Sequence, residues 1–280
     1  MSERAIIYRT RGHGHGPITR LVSPHNLGEQ LKPFVFLDLF RSEQTFVATM
    51  PIHPHSGIAT VTVLTQGDMT FVGPAEGAGT LAYGGVEWMR ASGGVWHGDE
   101  MARGTQPHIV GFQLWVALPP ETESAEVDRQ YLDASHTPTV GPARLILGSY
   151  QAATSPVRAP AGMNYLLVTL ADGASWTYEP PPGHRVGWLA VSHGMLETGE
   201  PVQAGELAVF TDDGAPIHVV ARGETRFVIA SAVPHPHPLI TGDYSVHTSS
   251  DALIHGERRI AELRPNALST AAGRRVAEIG

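Results

Sequence analysis

Short apolar runs cut by glycine and proline are the feature that most limits what this chain can fold into. Phe34 to Phe40 is apolar apart from Asp38, and Thr60 to Thr65 alternates threonine with valine until Leu64. Phe112 to Leu118 sets Phe112, Leu114, Val116 and Leu118 on one side. Runs of this length with a period of two are strands, not helices. Gln66-Gly67-Asp68, Gly84-Gly85, Gly93-Gly94 and Pro119-Pro120 stand between or after them as turns and stops. With 31 Gly and 22 Pro in 280 residues, such turns are available throughout. The class predicted is all-β.

The same plan then recurs. Tyr165 to Leu170 reads as a strand, Trp188 to Val191 runs into a turn at His193-Gly194, and Ala204 to Phe210 repeats the glycine-then-strand pattern of Tyr83 to Met89. Arg226 to Pro234 matches Phe112 to Pro119, a last strand before a proline stop. This is an internal repeat of one β unit. The polar stretch between Glu121 and Pro138 is the expected boundary, giving an N-terminal unit over 1–125 and a C-terminal unit over 126–280. Asp251 to Leu263 is the best helix candidate, with Leu253, Ile260 and Leu263 on one stripe and Arg264-Pro265 as its predicted end.

Composition removes several classes of function. Hydrophobic residues are 42% and charged ones 16%, a globular rather than a disordered balance. The net charge of −8, without any useful Lys/Arg run, argues against direct nucleic-acid binding. The absence of cysteine removes disulfides and thiolate chemistry and agrees with a reducing compartment. No window approaches the roughly 18 apolar residues of a membrane span, and Met1 to Arg20 has no apolar stretch like that of a signal peptide. A cytoplasmic, monomeric protein without membrane or nucleic-acid partners is expected.

Chemistry enters with the 15 histidines, which partly cluster. His53-Pro54-His55 opens the Thr60 to Thr65 strand, and residues i and i+2 of an extended chain point to one side. His97 follows another strand-like segment, with Asp99 and Glu100 just behind it. Three imidazoles and one carboxylate at the mouth of a small barrel would leave positions for water or substrate. Such a set suits Fe(II), Mn(II), Ni(II) or Cu(II) as well as Zn(II). A His-x-His pair alone is a weak signal, because His13-Gly14-His15 and His235-Pro236-His237 share the spacing. The first of these lies in a glycine-rich loop and reads as a surface turn; the second lies between prolines and reads as a connection. His184 and His218 stand singly beside apolar residues and read as packed or surface groups.

These stretches together resemble the pirin family of bicupins. The resemblance is carried by Pro51 to Gly57 with Thr60-Val61-Thr62, by Glu87-Trp88-Met89 through Gly94-Val95-Trp96-His97, and by Gly111 to Pro119. Leu31 to Phe40, with Pro33-Phe34 and Leu37-Asp38, is similar to the family's N-terminal strand. The resemblance implies two cupin barrels (double-stranded β-helix, or jelly-roll) packed face to face, with a short C-terminal helix. It implies one divalent ion, Fe2+ in the first place, in the N-terminal barrel only. His53, His55 and His97 take three ligand positions. The fourth is less direct, since the family has His-x-Glu-Met and this chain has His97-Gly98-Asp99-Glu100-Met101, one residue longer. Ungapped spacing nominates Asp99, matching the Glu-Met pair nominates Glu100 with a bulge, and water is the third option; Glu100 is the preferred assignment.

The resemblance implies two functions of different kinds. One is a quercetin 2,3-dioxygenase, opening a flavonol with O2 and releasing carbon monoxide, with Glu100 or Asp99 as the base for the flavonol proton. Trp96, Trp88 and Phe36 would then line the barrel, with core packing as the alternative for each. The other is a non-enzymatic, redox-sensitive regulator that binds a transcription factor or a metabolic enzyme. Cupins host many unrelated reactions, so the fold by itself does not choose.

Overall fold

The computed structural model describes residues 4–43, 51–73, 77–98 and 101–279. Two large antiparallel sheets dominate it. The first has seven strands in the order Asp128–Leu132, Val86–Arg90, Ile58–Gln66, His108–Ala117, Phe34–Glu43, Ile18–Val22 and His13–His15. The second is built around Ile217–Ala232, which pairs with Met163–Leu170 on one side and Val186–Thr198 on the other. The repeat seen in the sequence is therefore two barrels of one kind.

Their strands do not keep to a simple division. Ile6–Thr10 pairs with Leu207–Phe210 in the second sheet, and Asp128–Leu132 pairs with Val86–Arg90 in the first. Each half thus lends one strand to the other.

Period-two alternation explains how the barrels meet. Along Ile58–Gln66, Val61 and Val63 join Leu37, Leu39, Phe112 and Leu114 in one cluster, and that cluster also holds Tyr165, Leu167, Trp188, Val228 and Ala230 from the second half. The two sheets pack face to face through these side chains. Thr60 and Thr62 point the other way, into the first barrel, and are also buried. Hence a strand that alternates in sequence is covered on both faces.

The barrels differ inside. In the second, Leu166, Val168, Leu189, Val191, Phe227 and Ile229 interlock as a closed apolar core. The first is hollow, with a cavity of about 300 Å³.

The chain ends on one helix, Ser250–Ile279. It starts where expected but continues through Pro265, the end predicted from the sequence. Proline removes one helical hydrogen bond, here to the carbonyl four residues back at Ala261. Ala261 and Glu262 are exposed, so water can satisfy that carbonyl. Of the predicted stripe, Ile260 is buried and Leu253 and Leu263 are half-buried. The indole of Trp96 donates to the Ile260 carbonyl at 2.9 Å and ties the helix to the first barrel.

Candidate metal centre

His53–His55 and Val95–His97 form a short antiparallel pair in which His97 lies opposite His53. His55 is two residues along and so on the same face. The three rings converge at centroid separations of 4.4 to 5.1 Å. One nitrogen from each lies within 4.8 Å of the others, close enough to share an ion after small side-chain rotations.

The donor set fits a divalent metal for a further reason. His53 Nδ1 faces the Pro51 carbonyl and His55 Nδ1 faces the Tyr244 carbonyl, each at 3.0 Å. A carbonyl only accepts, so in both rings Nδ1 carries the proton and Nε2 is left with its lone pair. This is the arrangement in which a histidine is oriented for metal binding. Burial, reinforced by the neighbouring His97 and His53 rings, pushes His55 well below its usual pKa, so its ring is neutral near pH 7. Asp99 and Glu100, nominated for the fourth position, lie outside the described residues.

Tyr244 belongs to a C-terminal segment that no signal in the sequence connects with the centre. Asp243 and Tyr244 line the cavity beside the histidines. The segment is held by a buried relay: Ser56 Oγ is 2.9 Å from His247 Nε2, and His247 Nδ1 is 3.0 Å from Glu123 Oε2. Thr248 donates to Glu123 from its backbone N at 2.8 Å and from its hydroxyl at 2.5 Å. Ser56, His247 and Glu123 have the order of a nucleophilic triad. Ser56 is 0% exposed and His247 1%, so no substrate reaches them, and the relay acts as a latch. Gly256 of the helix lies against it, where a Cβ would come within 2.5 Å of both Ser56 Oγ and His247 Nε2.

The cavity behind the histidines is mainly apolar. Trp115 meets His55 edge-on at 4.8 Å and stacks on Phe36 at 4.1 Å with 11° between the planes. Phe40, Met69, Met101 and Ile109 supply more apolar surface. Of the aromatic candidates, Phe36 lines the cavity, Trp88 is fully buried in the core between the sheets, and Trp96 anchors the helix. Across the barrel wall runs a polar band, in which Arg20 holds Asp38 by two hydrogen bonds of 3.0 Å each. Burial raises the pKa of Asp38, against the lowering pull of Arg20.

In the second barrel, His184 is buried and hydrogen-bonded through Nδ1 to Ser231 Oγ at 2.8 Å. His218 pairs with Thr177 Oγ1 at 2.9 Å. The other two His-x-His pairs also separate: His13–His15 is an exposed strand, whereas His235 is largely buried and receives no third ligand-type side chain among the described residues.

The Pirin family model matches residues 16–116, the stretch that builds the hollow barrel and all three histidines. A Pseudomonas aeruginosa protein named "Putative quercetin 2,3-dioxygenase" is 30% identical over 227 residues, covering 76% of this chain and 79% of that protein. The chain belongs to the pirin family. Two solved structures share the pirin chain's fold. The quercetin 2,3-dioxygenase of Acinetobacter baumannii superposes with a TM-score of 0.81 at 23% identity, over 94% of this chain and 98% of that one. A bacterial pirin of Escherichia coli in complex with nickel(II) gives a TM-score of 0.58 at 14% identity, over 80% and 95%. No described helix of this pirin is long and apolar enough to cross a membrane.

Proposed function

We propose that this pirin is an iron-dependent dioxygenase that opens flavonol-type aromatic substrates with O2. The observation that carries the reading is the hollow barrel itself, with three converging imidazoles at one end of a cavity lined by Phe36 and Trp115. His53, His55 and His97 would hold the ion, with Glu100 as fourth ligand and Asp99 as its alternative. Bound there, a divalent ion supplies Lewis acidity for an enolate oxygen and a template for O2. The chain's own part is positioning: Phe36 and Trp115, stacked on each other, line the cavity beside His55 and give an aromatic ring apolar surface to pack against. The enclosing apolar wall excludes water, which preserves an anionic substrate from reprotonation. Glu100 or Asp99 is the group to remove the flavonol hydroxyl proton.

The test is oxygen uptake by anaerobically iron-loaded protein on adding quercetin, with carbon monoxide measured in the headspace. Metal-dependent uptake with carbon monoxide is expected, and His97→Ala should lose both metal and uptake while staying folded. No uptake at full iron occupancy would overturn the enzymatic reading in favour of the regulatory one. Unchanged metal content in His97→Ala would overturn the ligand assignment.

A further inference from the structure

Five strands of the first sheet bring five polar residues into one row. Glu87 pairs with Thr62, Thr62 with Gln113, Gln113 with Asp38, and Asp38 with Arg20, each in direct register. All five line the cavity behind the histidines. The neighbouring row on the same face holds Phe36 and Trp115, whose indole touches His55. Two residues of strand separate the rows, so the polar row lies about 7 Å along the strands from the aromatic one. Phe40 and Ile109 continue the wall beyond it with apolar surface.

The row carries more acceptors than donors. Thr62 Oγ1 contacts Glu87 Oε2 and lies 2.8 Å from Gln113 Oε1, but a hydroxyl has one proton and cannot serve two acceptors. Turning the Gln113 amide resolves the conflict: its NH2 donates to Thr62, and Thr62 donates to Glu87. Arg20 likewise donates to Asp38. Both donor chains end on carboxylates. A carboxylate offers about four acceptor positions, so Glu87 can accept a ligand hydroxyl in addition to the partners it already has. With two carboxylates against one guanidinium, the row disfavours a carboxylate or phosphate on the ligand. It favours a neutral O–H donor.

Self-satisfied packing does not account for the row. The second barrel has the same architecture and fills its interior with Leu166, Leu189, Phe227 and Ile229 instead. Apolar filling avoids the desolvation that buried polar groups impose. Glu87 and Thr62 are 5% and 4% exposed, so the first barrel bears that penalty at the wall of its cavity.

We propose that the row Glu87, Thr62, Gln113, Asp38 and Arg20 is a recognition site for phenolic hydroxyls at the far end of a flat aromatic ligand whose near end meets the histidines. The proposal rests on the aromatic-substrate reading above and assigns it a specificity: polyhydroxylated rings over bare ones. A bare ring would displace water from the row's acceptors without replacing its hydrogen bonds, which weakens binding.

The experiment compares quercetin with 3-hydroxyflavone, which keeps the metal-binding end and lacks the other hydroxyls. Affinities are measured by fluorescence quenching on zinc-loaded protein without oxygen, for the parent, Glu87→Gln and Gln113→Leu. Circular dichroism and metal content confirm that each variant is folded and loaded. Quercetin should bind the parent at least about tenfold more tightly, a difference of about 1.4 kcal/mol. In the variants quercetin alone should weaken, closing the gap while 3-hydroxyflavone is unchanged. Two variants are used so that misfolding of one leaves the other informative. Equal binding of the two flavonols by the parent, or a gap that survives in the folded variant, would remove the row as a recognition site and leave the flavonol reading standing. If neither flavonol binds, the flavonol reading falls and takes this proposal with it.

Discussion

Replacing His247 with alanine should both destabilise the protein and weaken its metal centre, although the residue touches no ligand. Proton accounting sets the size. Glu123 accepts at Nδ1, so that nitrogen carries the proton, and Nε2 accepts from the Ser56 hydroxyl. Ser56 Oγ also contacts Ser245 Oγ at 2.9 Å. Burial holds the His247 pKa down despite the raising effect of Glu123, in keeping with a neutral ring. Alanine removes one hydrogen bond to a carboxylate, about 1.5–3 kcal/mol, and one neutral bond of about 1 kcal/mol. Glu123 keeps both bonds from Thr248 and is not stranded. The loss is therefore about 3 kcal/mol, which in a chain of this size lowers the melting temperature by about 6–12 °C.

The second effect follows from the chain path. His247 lies three residues after Tyr244, whose carbonyl orients His55, and losing such an outer partner lowers metal affinity about 10- to 100-fold. Thermal melts of metal-free protein followed by circular dichroism measure the first effect. Zinc competition against a chromophoric chelator measures the second. A melting shift below about 2 °C, under 1 kcal/mol on the same scale, together with unchanged zinc affinity, would refute the latch.

Two further outcomes are expected. Gly57 has φ +73°, and a Cβ there would lie 2.1 Å from the Val246 carbonyl; Gly57→Ala should cost more than about 1 kcal/mol in urea unfolding, and an unchanged midpoint would contradict that contact. Burial, with the charges of His237 and Lys32, depresses His235 to about 4 from 6.5. The unfolded chain then binds a proton that the folded one refuses between those values. Stability should be full above about pH 6.5 and fall as pH drops toward 4. Urea midpoints should show a smaller acid loss in His235→Leu, and parallel curves for the two proteins would exclude His235 as a source.

Local chemistry makes much of this fold legible in the amino-acid sequence alone. Period-two runs and glycine turns are backbone-level signals, and they mark the strands Phe34–Glu43, Ile58–Gln66 and His108–Ala117. His53 and His55 share a side because extended backbone alternates, and that needs no tertiary information. Pro265 misleads because its penalty depends on exposure, which the sequence does not state.

What only the tertiary structure decided is which partner each face received. Alternation separates Thr60 and Thr62 from Val61 and Val63, but it does not say that the valines meet another barrel while Thr62 meets a cavity. His97 became a neighbour of His53 through strand pairing, and Tyr244 reached His55 across 189 residues of chain. The polar row is a register property of five strands, each contributing one unremarkable side chain. Sequence periodicity records the direction of a side chain along its own strand, whereas a site is an agreement among strands, and register and barrel closure are what create it.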